Sequence, residues 1–185
     1  MSRAGRIFEG VHAVSLAVWF AALAGAGLAA GVAFPAMKSL DPGLPGFSAY
    51  DGPHWLIAGG HVGRGAFSIA EKIVLVSAAA AVVSLAAAER AAPAERWRSL
   101  ARWVLILTAG SLAVWQGLVQ SPRMNRALDT YWSSARAGMN DEADQARRAF
   151  EAMHPSSRGL MTLAAACVLG AIAAGGLGAS GRADA

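Results

Sequence analysis

Polar and apolar positions fall in long blocks along this chain rather than in short alternations. Residues 11–37 hold no charged residue, and residues 73–88 again hold none, with alanine, valine and leucine dominating. The second run is 16 residues long, slightly short for a bilayer crossing, which takes roughly 20. The helix must therefore reach back through Phe67 and Ser68, which puts Glu71 and Lys72 inside or at the edge of the hydrocarbon. Two further apolar stretches follow, the third span containing Thr108, Ser111 and Gln116. The pattern predicts an all-α fold, an integral membrane four-helix bundle in one domain, with spans over about 11–37, 65–89, 102–120 and 159–178.

The connections are read from the breakers. Pro42, Pro45 and Pro53, with several glycines, make 38–60 a loop in which Tyr50 and Trp55 suit the membrane interface. Pro35 is expected near the end of the first span, and Pro122 is expected to bend or end the third. In the polar stretch 123–158, Asn140 and Asp141 make a helix start. Ala143, Ala146, Phe150 and Met153 then fall at i, i+3, i+7 and i+10, so an amphipathic helix is expected in the long loop before the last span. His154-Pro155 is expected to interrupt it. Gly25, Gly27 and Gly31 would let the first span pack closely against a neighbour.

Composition sharpens the class. Hydrophobic content is 55% and charged content only 15%, outside the usual range of a soluble domain. The basic N-terminus followed by an apolar run could suggest a signal peptide, but the run is far too long for one. The net charge is +4, yet the basic residues sit between apolar blocks, where they set topology and meet anionic headgroups; nucleic-acid binding is not indicated. The single cysteine, Cys167, excludes an intramolecular disulfide. The arginine density of residues 90–102 favours both termini on the cytoplasmic side, most naturally of a bacterial inner membrane.

With four crossings, the start of helix two, the end of helix three and the start of helix four emerge on one side. His61, Arg64, Ser68 and Glu71 lie at i, i+3, i+7 and i+10 on one helical face. That face meets Gln116, Gln120 and Arg123, together with Glu151, His154 and Arg158. The expectation is a charge-balanced polar mouth lined by His61, Arg64, Glu71, Gln116, Gln120, Arg123, Glu151, His154 and Arg158, since ionisable groups avoid lipid. Each has a plainer reading: Arg123 and Arg158 as snorkelling anchors, and Glu71 with Lys72 or Arg64 as a structural ion pair. His12 with Glu9, at the other side, reads as an interfacial pair. No nucleophile-base-acid set and no phosphate loop is present, so enzyme activity is not expected. His61 and His154 are the weak candidates for axial haem or metal ligation, although no CxxCH or HExxH pattern accompanies them.

Several of these residues carry a family likeness. Val11-His12 opening the first span, Trp19 within it, Ser121-Pro122-Arg123 closing the third, and Phe150 with His154 to Ser157 opening the fourth resemble the transmembrane protein 205-like family (domain of unknown function 4149). The resemblance covers most of the chain in order. It departs in the glycine- and proline-rich first loop, and in His154-Pro155 where a His-Gly pair is familiar. It implies an integral membrane protein of unsettled biochemistry, and no catalytic residue comes with it. The expected function is small-solute or ion binding in a transport-accessory role, with no resident cofactor. The alternatives are a haem- or metal-binding redox subunit using His61 and His154, and a structural subunit docking a membrane partner or a second copy of itself.

Overall fold

The structure, a computed structural model, describes residues 2–92 and 95–180, with side chains as far as Gly175. It is all-α. The helices are α1 (Arg3–Leu40), α2 (His54–Ala91), α3 (Arg96–Trp115), α4 (Ser121–Arg136) and α5 (Asn140–Ser180), with a π-helical turn at Gln116–Gln120 and a short 3-10 turn at Pro45–Phe47. Because the π turn joins α3 to α4 without a break, four helical runs are long and apolar enough to cross a membrane. α1 and α2 are 38 residues each. At 1.5 Å per residue that is about 57 Å, nearly twice the roughly 30 Å hydrocarbon thickness.

The helix bounds correct several expectations. The first loop is 41–53 rather than 38–60, because α1 continues through Pro35 to Leu40 and α2 already starts at His54. Pro122 does not end the third helix, since it stands in the first turn of α4. A proline within a helix collides with the carbonyl four residues back. Here the preceding turn is π-wound, the Ser121 N–H donating to the Gln116 oxygen five residues back, and the wider turn makes room. The amphipathic helix is not a separate loop element but the first part of α5, which passes through Pro155 uninterrupted.

The contacts divide the chain into two compact units. The first comprises Met1–Ala24, Glu71–Val114 and Leu160–Ala185. Its core draws on four helices: Leu16 and Trp19 from α1, Val74, Ala81 and Leu85 from α2, Ile106 and Ala109 from α3, and Cys167, Val168 and Ala171 from α5. Alanines at the buried positions let the helices approach closely, as is usual where lipid supplies no hydrophobic drive. Large apolar side chains face outward instead, Val76 at 71% and Val83 at 68% exposure, a surface that suits lipid.

The second unit comprises Gly25–Ala70 and Trp115–Gly159. Its core joins Phe47 and Tyr50 of the loop to Ile57 of α2, Leu128, Tyr131, Trp132 and Ala135 of α4, and Ala143 and Ala146 of α5. α4 and α5 form a hairpin turned at Gly138, whose φ of 71° suits a residue without Cβ. Gly138 N–H donates to Ala135 O and Met139 N–H to Ser134 O, respectively the five-to-two and six-to-one bonds of a Schellman cap. Asp141 and Glu142 then meet the positive end of α5. Asn140 pins the loop across this turn, exchanging two hydrogen bonds with Asp51 of 3.2 and 2.8 Å.

Close approach falls elsewhere than expected. A Cβ at Gly25, Gly27 or Gly31 would meet nothing within 4 Å, so these glycines pack against no part of the described chain. Gly59 and Gly60 do that work, lying under Phe34 and Trp132 respectively.

Candidate functional site

The second unit holds eight of the nine residues expected at the polar mouth, and joins some of them. Gln116 and Gln120, on the π turn, are both buried. Gln116 donates to the Ser121 hydroxyl at 3.1 Å and accepts from Ser157 at 3.2 Å. Gln120 donates to Ser156 Oγ at 2.9 Å and to the Met153 carbonyl at 3.2 Å. Met153, Ser156 and Ser157 flank Pro155, whose ring cannot supply the N–H that would otherwise bond Glu151 O. The π turn after α3 is thus stitched to the proline-bearing stretch of α5 by carboxamides and hydroxyls.

The other mouth residues make a second group. The His61 ring stacks on Trp132 with centroids 3.7 Å apart, and the Arg64 guanidinium lies 5.4 Å from the same ring. Arg64 also forms an ion pair with Asp129. His154 meets the Phe150 ring edge-on at 4.7 Å. Glu151 is held by Arg147 on its own helix at 2.8 Å. Arg123, His154 and Arg158 are exposed. Glu71 belongs to the first unit. Among the described residues no three His, Cys, Asp or Glu side chains gather as a metal ion would require.

A cluster that the mouth reading passed over lies in the first unit. Arg102 of α3 is 4% exposed and makes a two-pronged pair with Glu9 of α1, at 2.9 and 2.7 Å. His12 of α1 is 2% exposed. Its Nδ1 stands 2.9 Å from Ala81 O, in the middle of the charge-free run of α2. A carbonyl only accepts, so Nδ1 carries the proton and Nε2 of the neutral ring is a bare lone pair. Glu89 of α2 accepts from the Trp103 indole at 2.8 Å through Oε2. Among the described residues, the buried His12 Nε2, Trp19 Nε1, Glu89 Oε1 and Arg102 Nε find no hydrogen-bond partner.

Glu9 and His12 are therefore not a simple interfacial pair: the carboxylate's partner is Arg102 and the imidazole's is a backbone oxygen. The signal was available in the sequence. The start of α1, the end of α2 and the start of α3 share one end of the bundle, and each carries an ionisable residue there. For the mouth, Trp132 and Asp129 gave no comparable signal, being one aromatic and one acid among many in a polar stretch.

Comparison with protein-family models, with curated proteins and with solved structures finds no match. What stands is the class: an all-α protein whose described residues hold four helices long and apolar enough to cross a membrane.

Proposed function

We propose that this protein binds a small solute or ion, anionic by preference, in a transport-accessory role, at the polar mouth carried by α2, the π turn with α4, and α5. One observation carries the reading. Two membrane-length helical runs bond to each other, one at its π turn, Gln116–Gln120, and the other beside its internal proline, Pro155, through Gln116, Gln120, Ser156 and Ser157. A π turn inside a helix recurs at functional sites, and an internal proline in a membrane helix is tolerated where neighbouring side chains satisfy the backbone it frees. Arg123 and Arg158, which follow the π turn and the proline, supply the attraction for an anion.

Ser121-Pro122 and His154 to Ser157, which resemble the transmembrane protein 205-like family, fall at the same place. A bacterial inner membrane with cytoplasmic termini completes the reading. It assigns binding rather than catalysis.

The test uses detergent-purified protein and a panel of chloride, phosphate and acetate, read by the shift in thermal unfolding. Saturable stabilisation by one anion is expected, about 2.7 kcal/mol at a hundred times its Kd, and lost in R123A/R158A. No stabilisation by any of the three refutes the anion reading. A Soret band, lost in H61A and H154A, would put the haem alternative in its place.

A further inference from the structure

The cluster in the first unit has its own chemistry, independent of the mouth. We propose that His12 Nε2, with Glu89 as its counter-charge, is a proton-binding site inside the bundle.

The argument begins with geometry. The bond from Nδ1 to Ala81 O fixes the tautomer and the ring plane, so the group left to act is Nε2, buried and without a donor. The imidazole is 2% exposed and stands one residue inside the charge-free run of α1. An ionisable side chain in such a place is costly and is generally retained for use.

Charge comes next. Within electrostatic reach of His12 lie Glu9 on its own helix, Glu89 on α2 and Arg102 on α3. α5 brings no charge from Gly159 to Gly175. Two carboxylates thus face one guanidinium, leaving one net negative charge while the imidazole is neutral. Glu9 is fully engaged with Arg102. The excess charge sits on Glu89, whose Oε2 is used by Trp103 and whose Oε1 is buried and unpartnered. One positive charge balances the group.

The ligand is a proton rather than a metal or alkali ion. An alkali cation takes a shell of oxygens, and here the Ala81 carbonyl is held by Nδ1 and both Glu9 oxygens by Arg102, leaving Glu89 Oε1 alone. No three metal-ligating side chains gather among the described residues. A proton needs one lone pair. On binding, an N–H bond forms at Nε2 and the ring becomes imidazolium. The proton comes from water and returns to it, and no electrons move.

The test is nitrogen NMR of the whole protein, labelled with 15N-histidine, in detergent. His12 is recognised without a variant, because it is the buried histidine and its signal is protected from a soluble paramagnetic agent. Above neutral pH the spectrum should show an Nδ1–H ring with bare Nε2. On acidification Nε2 should take a proton before the fold is lost. In Glu89→Gln the proton affinity should fall, because one opposite charge is removed. Three results overturn the proposal: an Nε2–H tautomer at high pH, no protonation down to the pH at which the fold is lost, or an affinity unchanged in Glu89→Gln. Sodium or potassium changing the His12 signal at fixed pH, without protonation, overturns it as well. Anion binding at the mouth bears on none of these outcomes.

Discussion

Glu9→Ala removes one partner of the buried pair in the first unit and leaves the Arg102 guanidinium among helices. The structure sets the size of the effect. Arg102 is almost fully enclosed, its side chain 5% exposed, while the Glu9 side chain is 36% exposed. Stripping a buried ion pair of one partner costs about 3–5 kcal/mol. Two hydrogen bonds to charged groups at about 1.5–3 kcal/mol each reach a similar figure. The opening at Glu9 lets water approach the orphaned cation, so the lower end applies, about 3 kcal/mol. Asp129→Ala provides the control, because the Arg64–Asp129 pair is exposed on both sides and should lose at most about 1 kcal/mol. Replacing both partners, as Glu9→Leu with Arg102→Met, removes the uncompensated charge and should return stability to within about 1 kcal/mol of the parent. The assay is reversible unfolding of purified protein in mixed micelles by increasing SDS. If Glu9→Ala costs no more than Asp129→Ala, the burial argument for this cluster is wrong.

Other expectations follow from packing at single residues. An alanine Cβ at Gly59 would lie 3.0 Å from Phe34, and at Gly60 3.3 Å from Trp132. Each substitution should cost about 1–3 kcal/mol as overpacking, whereas alanine at Gly25 or Gly27, where the space is open, should change unfolding by less than about 1 kcal/mol. Gln120→Leu removes two hydrogen bonds but leaves the Ser156 hydroxyl donating to the Met153 carbonyl, and should cost about 1–2 kcal/mol. Faster amide exchange confined to the turn around Pro155 checks it.

Much of the architecture was legible in the block pattern. Charge-free runs of membrane length dictate helices, because a chain in lipid must bond its own backbone. The breakers were legible in kind but not in effect. Pro35 and Pro155 sit inside helices; at Pro155 the carboxamide of Gln120 bonds the neighbouring Met153 carbonyl. Pro122 was read as an end because nothing local in the sequence shows that the turn before it is π-wound.

The candidate sites divide along the same line. Gln116, Gln120 and the residues around His154 could be placed on one side of the membrane by counting crossings. Which groups touch is a matter of azimuth and reach, and these depend on packing. His61 turned out to stack on Trp132, and Arg64 to pair with Asp129.

The sequence by itself determined the class, since hydrophobic runs of that length have no other stable home than a bilayer. It also determined which ends of the helices share a side. Only the tertiary structure decided that Glu9 reaches Arg102, that His12 spends one nitrogen on Ala81 O, and that Glu89 keeps one oxygen unpartnered. Those facts rest on burial and on side-chain direction across three helices. Burial turns ordinary ionisable residues into a group whose charge must balance, and linear order holds no record of it.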